Sequence, residues 1–158
     1  MNIIGNKFEH GEEFEIGYFN VIGNNVKVGS YVKIGHHCII EDNVEIADNV
    51  ILQGNIKIAE GAVIGNNCVL KHGTILTNKT TLKDDVFMGP NTITLGGTHE
   101  RKTEHGTIIG NRCYIGGGTQ IAANKKLCDD VTVGALSFVN RNIVKPGLYV
   151  GIPVRSLR

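Results

Sequence analysis

The chain has 158 residues, with 16 Lys and Arg against 15 Asp and Glu, a formal net charge of +1. That is enough chain for one domain with its own core. The balanced charge excludes a polybasic surface for nucleic acid or membrane, and no apolar run approaches the ~20 residues of a membrane span. Gly is abundant at 21, Pro is scarce at 3 and Trp is absent. Such a composition favours strands and tight turns over helices.

Residues 1–15 carry Glu9, Glu12, Glu13 and Glu15, unlike a signal peptide, so a cytoplasmic protein is expected. From Ile16 an aliphatic residue then falls at every sixth position: Ile16, Ile22, Val28, Ile34, Ile40, Ile46, Leu52, Ile58, Ile64, Leu70, Leu76, Leu82 and Met88. Four residues after each beat lies a smaller slot, among them Val26, Val32, Cys38, Val44, Ala62, Cys68 and Thr74. Between the slots stand turn formers such as Asn24-Asn25, Asp42-Asn43 and Asn66-Asn67, which take left-handed backbone cheaply.

A period of six fits no helix face. It fits a short strand and a turn, with one large and one small inward residue per unit. Three units close a triangular coil, and stacked coils bury an apolar prism. The predicted fold is therefore an all-β parallel solenoid. Coils are expected over 16–94 and 108–143, a projecting loop over 95–107 and a C-terminal tail over 144–158. Cys38, Cys68 and Cys113 take the small inward slot and are expected to pack. Lys125 violates that slot, which implies a local distortion or a ligand contact; Cys128, just after a beat, has no evident role.

The beat stops after Met88 and resumes at Ile109, continuing through Ile115, Ile121, Leu127, Val133 and Val139. The step from Met88 to Ile109 is 21 residues, three hexads plus three, and it includes a polar run with Gly96, Gly97, Glu100, Arg101, Lys102 and Glu104. Solenoids place function on such excursions. This one carries His99 and His105.

The hexad pattern over nearly the whole chain resembles the hexapeptide-repeat proteins, whose parallel β-helix is left-handed. "DDVFMGPNTITLGGTH" (84–99) resembles the galactoside and maltose acetyltransferases, in which a Pro-Asn pair precedes the catalytic histidine by eight positions. "IIGNRCYIGGGTQI" (108–121) resembles that family's return to the helix. "TVGALSFVNRNIVKPGLYVGIPVRSLR" (132–158) resembles its last coil and Gly-x-Pro-x-Arg tail. The departures are Glu100 where Pro follows the histidine, Leu136 where Gly is usual and Asn140 where Thr is usual. "TLGGT" (94–98) with a downstream His also resembles serine acetyltransferases, and "FMGPN" (87–91) resembles the nucleotide-sugar N-acetyltransferases.

These resemblances imply an acetyl-CoA-dependent enzyme that acetylates a hydroxyl or amine of a sugar, built as a homotrimer, with no metal cofactor. His99 is implied as general base, with His105 and His72 as alternatives. An alcohol is a weak nucleophile at neutral pH, and imidazole titrates where a base is needed. Asn78 and Asn91 are candidates for holding the sugar. Gly117, Ala135, Asn140, Arg141 and Arg155 are implied CoA contacts; Gly117 and Ala135 are one 18-residue coil apart, so they should stack on one face. Two other readings stay open: a zinc protein like the γ-class carbonic anhydrases, which use three histidines, and a non-catalytic assembly solenoid. His36 and His72, two coils apart, are expected about 9–10 Å from each other, too far for a zinc shell near 2 Å.

Overall fold

The computed structural model describes residues 1–97 and 105–157. Among them there is no helix. Short strands, mostly of two residues, stack in parallel into three sheets of eight, seven and nine strands. The sheets are the faces of a triangular prism, here called faces I, II and III in that order. The architecture is a β-solenoid of about eight turns, consistent with the left-handed β-helix. Successive strands visit I, II and III in turn as far as Phe138–Val139. The stacking already includes Ile3–Ile4, paired with Val21 and Ile22, and Glu9–His10, paired with Lys27 and Val28.

Each hexad builds its strand and corner from the same few interactions. Val26 and Val28 are buried while Lys27 between them is exposed, the alternation of a half-buried strand. Asn25, before them, has φ 55° and turns the corner. Asn43, Asn49, Asn55, Asn67 and Asn91 repeat that conformation. Asn reaches it at little cost, whereas Phe19, Tyr31 and Leu136 at φ 61°, 60° and 55° each forgo ~1–2 kcal/mol. The large slot from Ile22 to Met88 is at most 5% exposed throughout. Each such Ile or Leu contributes ~1.5–3 kcal/mol of burial. Cys38, Cys68 and Cys113 are buried in the small slot. Phe8 and Phe14 of the first coil pack together against the core and close that end of it.

The edges are tied by side chains as well as backbone. Along the edge between faces II and III, Ser30 donates its N–H to Asp48 Oδ1, and Asp48 donates its own to Asn66 Oδ1. The series continues through Asp84, Asn111 and Asp129 at 2.7–3.1 Å. Each carboxylate or amide thus satisfies a corner N–H of the adjacent coil.

Stacked partners are 18 residues apart up to Ile75 and Ile93, then 27 apart at Thr81 and Ile108, Phe87 and Tyr114, and Ile93 and Gln120. The spacing returns to 18 at Ile108 and Lys126. The sequence count of three extra residues is corrected to nine. The beat does not end at Met88: Thr94 occupies the next large slot, fully buried, and an aliphatic-only count passes over it. The nine extra residues fall in sequence between Ile93–Thr94 on face I and Ile108–Ile109 on face II.

The predicted distortion at Lys125 is absent from the backbone, since its carbonyl accepts the Ile108 N–H at 2.9 Å. The side chain is only half-buried. His36 ends the strand Lys33–His36, and its Nδ1 accepts the Tyr18 N–H at 2.9 Å. The tail adds the strand Gly147–Val150 to face III, parallel to Val131–Val133, and then folds Arg155–Leu157 back against it. Tyr149 and Val154 are buried there and close the second end of the core.

Candidate functional site

Two edges of the prism carry the candidate residues. The edge between faces III and I stacks His36, Gly54, His72, Pro90, Gly117 and Ala135, one per coil. Asn55, Gly73, Asn91, Gly118 and Leu136 donate their N–H groups in turn to the carbonyls of His36, Gly54, His72, Pro90 and Gly117. Gly117 and Ala135 therefore lie in neighbouring coils of one column. Space is tight at Gly117: a Cβ there would lie 3.2 Å from the Pro90 ring carbons. His72 is exposed, with its ring beside Gly54. Asn91 shares this edge and holds φ 56°.

The edge between faces I and II carries the excursion. Asn78 is exposed in the turn directly below it. Above it lie Asn140 and Arg141, both exposed. Arg141 donates from a guanidinium N–H to the Val154 carbonyl at 3.2 Å, and Arg155 is the next residue along. The two arginines are thereby brought to one end of the solenoid. His105 is exposed in a bend at the return of the excursion, and Gly106 packs on the Lys79 backbone. His99 lies outside the described residues.

Face I separates these two edges. Asn78 and Asn91, the two candidates for holding the sugar, stand on different edges. So do His72 and His105, the two alternative bases. Between the edges, on the outer surface of face I, is a cavity of about 410 Å³. Its walls are Leu95, the first residue of the excursion, with Gln120, Phe138 and Ile152, and Gly118 and Leu136 from the far edge. A second, larger hollow of about 690 Å³ lies on face II, bordered by Lys83, Ile108, Lys126, Cys128 and Val144.

The sequence reading missed Leu95, Phe138 and Ile152 as cavity walls. Leu95 and Phe138 are outward residues of face I, and the hexad beat scores only inward ones. Cys128 acquires a place, half-buried and bordering the face II hollow. Burial pushes the thiols of Cys68 and Cys113 up to about 11, so neither is a ready nucleophile near neutral pH. Among the described residues no three His, Cys, Asp or Glu side chains gather as a metal shell requires. Nor is any helix among them long and apolar enough to cross a membrane.

The profile of the family described as GMPPB C-terminal domain matches residues 2–99. No curated protein matches the sequence. Among solved structures, the chain is similar to a variant of the GDP-perosamine N-acetyl transferase from Caulobacter crescentus in complex with CoA and GDP-perosamine. The TM-score is 0.62 at 15% identity, over 99% of this chain and 57% of that one. The acetyltransferase domain of PglB from Neisseria gonorrhoeae FA1090 gives 0.60 at 16% identity, over 92% and 55%. The polySia specific acetyltransferase NeuO gives 0.69 at 16% identity, over 100% and 85%. At these identities the likeness establishes the hexapeptide-repeat fold, and the chain spans little more than half the length of the first two.

Proposed function

The chain belongs to the GMPPB C-terminal domain family, and within that solenoid we propose that it transfers an acetyl group from acetyl-CoA to a sugar, most simply one linked to a nucleotide. One observation carries this reading. The excursion begins at Leu95, and Leu95 walls a cavity that continues to Gly118 and Leu136, the residues that follow Gly117 and Ala135. A segment whose sequence carries His99 and His105 thus leaves the wall beside a cavity on the outer surface of face I. The proteins of like fold that are named as acetyltransferases, one solved with CoA and GDP-perosamine and one with acetyl coenzyme A, support the same reading.

In the proposed reaction, a sugar hydroxyl attacks the thioester carbonyl while His99 takes its proton. The tetrahedral oxyanion collapses, the C–S bond breaks, and the CoA sulfur leaves and receives a proton. His105 and His72 are the alternative bases. Arg141 and Arg155 face the CoA phosphates, with Asn140 beside them, and Asn78 and Asn91 face the sugar. Because face I parts the two edges, a homotrimer would complete the site by setting the excursion of one copy against the opposite edge of the next. Light scattering that shows an active monomer would overturn this assembly.

A screen of nucleotide sugars, free sugars and serine, with CoA thiol release as the readout, tests the assignment. Turnover on a sugar is expected. Turnover on serine alone would move it to the serine-type enzymes. A second reading, a solenoid used for assembly, draws on the family match, which is described by a place in a longer protein and names no reaction. No CoA binding and no turnover in the same screen would favour it.

A further inference from the structure

Where face I meets the excursion edge, the ladder follows one rule. The N–H that follows each strand donates to a main-chain carbonyl of the next coil. Gly23 donates to Ile40 at 2.7 Å, Ala59 to Leu76 at 2.8 Å, Leu95 to Ile121 at 2.8 Å and Ala122 to Val139 at 2.8 Å. Thr77 departs from it: its N–H donates at 2.9 Å to the side-chain hydroxyl of Thr94. The strand pairing lapses at the same place. Ile75 pairs with Ile93 without the second pair, Leu76 with Thr94, that every flanking coil of this face has.

Thr94 is fully buried in a slot that other coils fill with Ile, Leu, Val or Met. Its hydroxyl also lies 3.1 Å from Thr77 Oγ1 and 3.2 Å from Thr80 Oγ1. The return lands on the same turn. Gly106 packs so closely on Lys79 that a Cβ there would overlap the Lys79 carbonyl, and the Thr107 carbonyl accepts the Thr81 N–H at 2.8 Å. Departure and return thus both stand on residues 77–81.

We propose that Thr94 is a positioning residue for the acetyl transfer, an inference that rests on the acetyltransferase reading. A main-chain carbonyl in that place would hold the peptide that follows Thr94 in the ladder toward Thr77, as in the flanking coils. The hydroxyl satisfies the Thr77 donor instead and frees that carbonyl from the ladder. A hydroxyl accepts and donates at once, so it also locks to the two neighbouring threonines. Leaving the Thr77 donor unmatched inside the wall costs stability, so the arrangement fixes where residues 95–107 begin. Thr94 touches no substrate; it sets the origin of the segment that carries His99 and His105.

The test compares Thr94→Val, which keeps the shape and removes the acceptor, with Thr94→Ser, which keeps it. Thr94→Ala, which adds no bulk, reads the same bond if the valine variant folds poorly. Amide exchange at Thr77 and steady-state kinetics with acetyl-CoA are measured on each. Thr94→Val is expected to speed Thr77 exchange about tenfold and lower kcat about tenfold, with KM for acetyl-CoA within about twofold. Thr94→Ser is expected to restore both. Equal kcat in Thr94→Val and the parent, or faster exchange without loss of kcat, overturns the positioning role. A parent inactive on every acceptor overturns the acetyltransferase reading itself, and the role of Thr94 with it, while the exchange data still report whether the hydroxyl holds Thr77.

Discussion

The Leu136 N–H donates to the Gly117 carbonyl at 2.9 Å, tying neighbouring coils at the edge where the proposed CoA contacts stack. A Cβ at Gly117 would lie 3.2 Å from the Pro90 ring carbons, so added bulk there presses on this edge. Gly117→Val is expected to raise KM for acetyl-CoA about tenfold or more while kcat changes little. Circular dichroism should stay that of the parent. A variant with an unchanged KM would remove Gly117 from the cofactor site.

Leu136 itself holds φ 55° on an exposed corner and walls the face I cavity. Glycine takes that backbone without the steric penalty, though it gives back some entropy in the unfolded chain. Leu136→Gly is expected to raise the urea midpoint, by about 0.5–1 kcal/mol of stability, and to weaken acetyl-CoA binding. Stability and binding that fall together would show the side chain to be structural only.

His99→Ala is expected to lower kcat by ~10²–10⁴ with little change in KM for acetyl-CoA. The same substitution at His105 and His72 ranks the three candidates, and loss confined to His105 or His72 would move the base there. An amino-sugar acceptor would make the need for His99 weak at high pH, where the amine is already free.

Arg141→Ala removes the hydrogen bond to the Val154 carbonyl as well as a cation. Its loss is expected to raise KM for acetyl-CoA more than KM for the acceptor, by a factor that corresponds to ~1.5–3 kcal/mol for a charge-assisted contact. Arg155→Ala is expected to act in the same direction without loosening the tail at Val154. Equal rises for both substrates would indicate disorder of the tail.

The buried thiols set an alkaline limit. Cys68 and Cys113 stay protonated in the fold up to about 11 because burial disfavours the thiolate, whereas in the unfolded chain they ionise near their ordinary value. Protons are thus held more tightly by the folded state. The stability they contribute is complete below the unfolded value and is lost as pH rises through about 11. Thermal melts are expected to fall between pH 9 and 11, and Cys68→Ala with Cys113→Ala to flatten that fall. A profile unchanged by the double substitution would assign the loss to other groups.

The sequence by itself determined the solenoid. A six-residue beat of Ile, Leu and Val with Asn and Gly at the corners has one way to bury its apolar residues, and every inward slot from Ile22 to Met88 follows from spacing alone. It also placed the excursion, because three faces allow no extra residues within the wall. Only the tertiary structure decided the remainder. That the Thr94 hydroxyl takes the Thr77 N–H in place of a ladder carbonyl joins two residues seventeen apart in sequence and adjacent in space. That Asn78 and Asn91 part to different edges depends on where each strand ends. The cavity joining Leu95 to Gly118 and Leu136 is made by outward residues of three coils, and a period that reports only what faces inward carries no trace of it.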